Sequence, residues 1–157
     1  MHLPHSAFVL SSMTAADPTV PAAALDLDDL LQSDTAVLVV RHPLTGAPSG
    51  TSIIIAGPEH VTRKALVFAR MRAARKDFEK NGAITITDPV DDEADETDLL
   101  ARCTLGWTNM QAGGVPIEHS VDAARQLYAD PRRRWLRNQV KVGLDQLELF
   151  IAGSAPV

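Results

Sequence analysis

The chain has a single cysteine, Cys103, one tyrosine, Tyr128, and only 4% aromatic residues among 157. One cysteine excludes a disulfide framework and a cysteine-based zinc site. No apolar run approaches the roughly 20 residues that span a bilayer as a helix, so no membrane-spanning helix is expected. A positive surplus is missing as well. Fifteen basic residues against twenty acidic ones give a net charge of −5, which disfavours general attraction to nucleic acid or anionic lipid. His42, His60 and His119 lack the close spacing of zinc ligands, and Gly113-Gly114 is a bare pair without the lysine of a phosphate loop. Cys103, set among Leu99, Leu100 and Leu105, reads as a small buried hydrophobe rather than a nucleophile. No cofactor, no metal and no enzymatic activity are expected.

What is present is the balance of one globular domain, with 45% hydrophobic and 22% charged residues. Residues 1–33 read as an N-terminal arm ending in a short acidic helix or turn at 26–33 (DLDDLLQS). Residues 1–20 lack the basic n-region and longer apolar core of a secretory leader. Residues 34–87 form the next unit. The β-branched runs 35–41 (TAVLVVR) and 51–56 (TSIIIA) flank two prolines and two glycines, the pattern of a hairpin with a long tip. Proline at 58 then opens a long helix over 59–80, and Asn81-Gly82 ends it. Val61, Ala65, Phe68, Met71 or Arg72, Arg75 and Phe78 follow its period, widened by Leu66, Ala69 and Ala73. A lone hairpin is marginal in water, so it is expected to pack on this helix. A short strand is expected at 83–87.

Residues 88–98 hold seven acidic residues and no basic ones, and read as an exposed acidic loop. It lacks the turn glycine and terminal glutamate of a calcium loop. Residues 99–157 then form a helical subdomain. A helix at about 96–103 leads into it, followed by a loop over 104–116 carrying Trp107, a helix at 121–129 capped by Ser120, and a last helix over 132–151 begun by Asp130-Pro131 and ended by Gly153. That last helix places Trp135, Val140 or Val142, Leu144, Leu147 and Phe150 on or near one face. The whole is an α+β domain: an N-terminal β-hairpin packed on a long helix, with a C-terminal helical subdomain.

Two features admit a binding role. The long helix carries Arg63, Lys64, Arg70, Arg72, Arg75, Lys76 and Lys80 against Glu59, Asp77 and Glu79. Either this is a solvated helix offset by the acids downstream, or it docks an acidic partner. Arg132, Arg133, Arg134 and Arg137 crowd a helix N-terminus, where positive charge opposes the macrodipole. Acidic neighbours are therefore expected for them, with Asp130, Asp122 and 91–96 as candidates. Trp107 is expected to fold over the C-terminal helices near Trp135, as core packing or as an aromatic patch.

Several segments together resemble a known family. They are Arg41-His42-Pro43-Leu44-Thr45-Gly46, then Ile53-Ile54-Ile55-Ala56-Gly57-Pro58 leading into a charged helix, then Leu99-Leu100-Ala101-Arg102-Cys103-Thr104-Leu105-Gly106-Trp107. Pro116-Ile117, Ser120, Ala123-Ala124, Leu127-Tyr128, Asp130-Pro131, Trp135, Gln139-Val140 and Phe150 follow in order. This order resembles the tail assembly chaperones of long-tailed bacteriophages over roughly 37–151, with 83–87 and the acidic segment outside the pattern. The resemblance implies a non-enzymatic protein of the host cytoplasm that binds the phage tape-measure protein during tail morphogenesis, with tail-tube subunits as further partners. Self-association into a homo-oligomer is compatible with it. Chemistry then nominates Trp107, Trp135, Leu147, Phe150, Arg70, Arg72, Arg75 and Lys76 as partner-binding residues. A structural component retained in the virion (tail, connector or capsid) is the alternative, and a nucleic-acid-binding module using the basic helix is a third.

Overall fold

The computed structural model of the chain describes residues 24–83 and 88–151. Residues 1–23 of the expected arm, 84–87 of the strand expected at 83–87, and Gly153, the expected stop of the last helix, lie outside the described residues. Strand β1 (Thr35–Arg41) and strand β2 (Pro48–Ala56) form the expected antiparallel hairpin. Their side chains alternate: Ala36, Leu38 and Val40 of β1 and Ile53 and Ile55 of β2 are buried, while Val37 and Ile54 face outward. Register pairs Ala36 with Ile55 and Leu38 with Ile53, so one face of the hairpin is continuous apolar surface.

Helix α1 (Val61–Asn81) ends where Gly82 adopts the left-handed conformation, φ 67°, and its N–H bonds the Phe78 carbonyl. It is not the buried spine that its apolar stripe suggests. None of its residues is buried, and every residue from Val67 to Asn81 is exposed. Only its first three turns touch the body. There Leu66 leans on the core, and the Arg63 guanidinium donates to the carbonyls of Ala56 and Leu144.

Helix α2 (Pro89–Cys103) overturns the expected acidic loop. Asp88 caps it by accepting from the Val90 N–H at 2.8 Å, Pro89 fills the first turn, and Asp91 and Asp92 sit where the macrodipole favours negative charge. The expected loop over 104–116 is also structured. Thr104–Thr108 is strand β3, which adds to β2 and completes a three-stranded sheet of order β1-β2-β3. Gln111–Ala112 and Val115–Pro116, strands β4 and β5, form a small separate hairpin.

Helix α3 (Val121–Ala129) begins at the Ser120 cap as expected. Asp130 caps a 3-10 turn, Pro131–Arg133, that leads into helix α4 (Arg134–Asp145). The single helix expected over 132–151 is thus three pieces. The chain turns extended at Gln146, and a 3-10 turn, Leu147–Phe150, follows. That break tucks Phe150 into the core at 0% exposure, and its carbonyl accepts from the Ser33 N–H.

The sheet's packing partner is α4 rather than α1. Gly143 makes this possible, because a Cβ there would lie 3.1 Å from a Leu38 methyl and 3.5 Å from one of Ile55. Leu136, Val140 and Leu144 of α4 complete a core shared with Leu100, Ala101 and Cys103 of α2 and with Ala124, Leu127 and Tyr128 of α3. The α+β class holds, with the long helix moved to the periphery.

Gly57 is the tightest joint in this arrangement. A Cβ there would lie 2.9 Å from the carbonyl oxygens of Ser33 and Asp34 and 3.0 Å from the Phe150 ring. Backbone cannot yield as a side-chain tip can, so Gly57→Ala is expected to destabilise the fold by about 1–3 kcal/mol. Denaturant unfolding checks this, and an unchanged midpoint would overturn it.

Candidate partner-binding surface

Charged side chains lock the helices together before any surface is left for a partner. The Glu93 carboxylate accepts from Arg137 at 2.7 Å and from Arg134 at 3.1 Å. These arginines hold its carboxyl below the usual range, with the Arg137 hydrogen bond the largest cause. Lys141 pairs with Glu96. Asp98 accepts from Arg125 at 2.6 Å and from Arg102 at 2.7 Å. Partial burial pushes Asp98 up, but the hydrogen bonds of Arg125 and Arg102 overcome that and hold it low. The arginine cluster at 132–137 thus finds the acids expected of it. Arg132 and Arg133 pair with Asp130, and Arg134 and Arg137 pair with Glu93. Asp122 pairs instead with Arg125.

Under this ionic layer lies a small polar one. Thr104 Oγ1 lies 2.9 Å from the Leu100 carbonyl and 2.8 Å from the Tyr128 hydroxyl, and all of these atoms are buried. Since Thr104 has one proton and gives it to Leu100, Tyr128 must donate to Thr104. Burial pushes the Tyr128 phenol up to about 12 and raises the Cys103 thiol. Both groups stay neutral and act as packing. Among the described residues no cluster of three metal-ligating side chains forms, and no helix is long and apolar enough to cross a membrane.

The structure separates the nominated residues. Phe150 is completely buried and offers no surface to a partner. Trp107 sits on β3 opposite Ile53 rather than in a loop, and its indole N–H donates to the Ile117 carbonyl at 2.7 Å. Its ring partner is His119, edge-on at 4.7 Å, and not Trp135. Half-buried and doubly held, Trp107 behaves as a structural residue. Trp135 in the first turn of α4 and Leu147 just beyond its end are 38% and 51% exposed.

The basic residues do not share one face either. At about 100° per residue, Arg72, Arg75 and Lys76 fall within an arc of roughly 100°. Arg70 lies on the other side, donating to the Asp95 carbonyl of α2. Arg75 pairs with Glu79 along its own helix. Arg72 and Lys76 are exposed and make no ion pair among the described residues.

A groove of about 290 Å³ lies between β1 and α4. Leu38, Val39, Val142 and Leu149 supply apolar walls, and Asn138 and Gln146 supply polar ones. Gln139 clamps its end: the side-chain carbonyl accepts from the Arg41 N–H at 2.9 Å, and its amide donates to the Arg41 carbonyl at 2.9 Å. The side-chain amide thereby imitates a neighbouring strand on the edge of β1. Trp135, Asn138 and Val142 follow i, i+3, i+7 spacing along α4, so the exposed indole lies on the stripe that leads into this groove. Sequence periodicity left Val140 and Val142 as alternatives for the core. Val140 takes it and Val142 is 54% exposed. Val39 and Leu149, in a strand and beyond a helix break, carried no signal for a shared site.

No protein-family model, curated protein or solved structure matches the chain.

The joint beneath this surface is pH-sensitive. Arg132, through its side-chain and backbone hydrogen bonds, holds the Asp130 carboxyl down to about 2. A carboxylate depressed in the folded state stabilises fully above its unfolded pKa, about 4, and loses that contribution as pH falls towards 2. Asp130→Asn keeps a capping side chain but removes the charge. The variant is expected to melt below wild type at neutral pH, with the gap closing between about pH 4 and pH 2. Thermal melts across that range test it, and a pH-independent gap would refute the ionic origin.

Proposed function

We propose that this protein is a non-enzymatic binding protein that acts in phage tail assembly and holds an apolar helical stretch of the tape-measure protein until the tail tube encloses it. The β1–α4 groove carries this reading. At about 290 Å³ it falls just below the roughly 300–1,000 Å³ typical of small-molecule sites. Its apolar walls and open stripe of Trp135 and Val142 suit a few side chains at i, i+3 and i+7 along a partner helix. Leu147 extends the exposed apolar surface beyond α4. A holdase must release what it binds, and a shallow groove with polar walls favours moderate affinity. The order of motifs along 37–151 supports the choice of tape measure as partner.

Val142→Asp places a charge in the groove without touching the core. It is expected to weaken capture of co-expressed tape-measure protein by about tenfold or more, with the melting temperature little changed. Undiminished capture would remove the groove from the reading. Quantitative mass spectrometry of infected-cell lysate and of mature particles tests the role itself. Abundance in lysate with absence from particles is the expected result. Several copies per particle would make the protein a building block of the virion instead.

A further inference from the structure

Helix α1 leaves the body after its third turn, and from Val67 onward all its residues are exposed. Within that exposed portion Val67, Met71, Ala74 and Phe78 follow 4-3-4 spacing. Over this short stretch the spacing matches the 3.5-residue repeat of a coiled-coil seam, which is straighter along the helix than a 3.6-residue core stripe. Val67, Met71 and Phe78 are 36%, 64% and 54% exposed. The residues that face the body, Arg63, Leu66 and Arg70, lie about 80° round the helix from the seam, so the seam is open to a second helix alongside.

We propose that two copies of this chain pair through α1, antiparallel, about a two-fold axis between residues 72 and 73. In that register Met71 meets Ala74 of the other copy, and Val67 meets Phe78, so each layer sets a larger side chain against a smaller one. The flanks are self-complementary too. Arg70, whose Nη2 donates to the Asp95 carbonyl of its own copy, keeps its other guanidinium N–H groups for Asp77 of the other copy, beside which it falls twice per dimer by symmetry. Phe68, 48% exposed, falls beside Arg75, a cation over an aromatic ring. A parallel pair lacks these features: Met71 would meet Met71, Ala74 would meet Ala74, and Arg70 would face Arg75. The remaining surplus charge, at Arg72 and Lys76, sits on the side away from the seam. This inference does not rest on the groove reading, since α1 lines no part of that groove.

Cysteine pairing reads the register directly. Full-length Met71→Cys and Ala74→Cys variants are mixed in equal amounts and mildly oxidised. Native Cys103 is at 0% exposure and stays out of the reaction. The expected product is the mixed 71–74 disulfide, several-fold above either same-variant disulfide. Monomers alone, or a majority of same-variant disulfides, would overturn the antiparallel pair. Sedimentation provides the second readout. Asp77→Arg is expected to weaken dimerisation about tenfold, and adding Arg70→Asp to it is expected to restore association. Circular dichroism confirms that each variant is folded. A double variant as weak as the single one would remove the charge pairing and with it this register.

Discussion

The structure depends on how closely α4 lies on the sheet. Gly143 is the point of contact, where the absence of a side chain lets a helix backbone rest on Leu38 and Ile55. Close approach strengthens dispersion contacts across a core of modest size. It also sets the path of the chain afterwards. The helix ends at Asp145, the chain turns at Gln146, and Phe150 comes to lie beneath the strands beside Gly57. Two glycines, one within α4 and one just past the end of β2, therefore seat the same helix and its C-terminal turn. The Gln139–Arg41 bonds fix the helix against the strand edge at a second place. The groove opens beside this clamp, between a helix and a strand held rigidly with respect to each other. Its geometry is set by core packing rather than by any loop.

Much of this was legible in the sequence wherever local chemistry decides. Strand alternation at 35–41 and 53–55, the Ser120 and Asp130 caps and the Asn81-Gly82 stop are all written within a few residues of where they act. The failures share a cause, which is that the deciding partner is distant. Seven acids between 88 and 98 read as a solvated loop because nothing nearby neutralises them. Three of them, Glu93, Glu96 and Asp98, find Arg125, Arg134, Arg137 and Lys141 on two later helices. Asp88-Pro89 at the head of the run reads equally as the opening of a loop and as a helix cap, and it is the cap.

The same reasoning explains the candidate residues. Apolar side chains at helical spacing show that a face can be covered, not that the fold covers it. Phe150 and Leu147 belonged to one expected stripe, yet the break at Gln146 sends Phe150 inward and leaves Leu147 outside. Trp107 drew attention as an aromatic in a glycine-rich segment, but Gly106 lies within a strand opposite Ile54. The indole is then spent on Ile117 and His119.

Helix α1 poses the opposite problem, namely why a segment with no buried residue stays helical. Isolated helices shorter than about 12–15 residues are marginal in water because nucleation is costly. Here the first three turns, fixed by Arg63 and Leu66, serve as the nucleus, and the exposed portion only has to propagate. Ten of its fifteen residues between 67 and 81 are Ala, Arg, Lys, Met or Glu, the strongest helix formers. Gly82 closes the far end. Intrinsic propensity rather than packing thus maintains α1, so Val67, Met71 and Phe78 can remain uncovered without the backbone dissolving. A helix already ordered before contact loses little conformational entropy on docking. The unburied helix is therefore a preorganised surface.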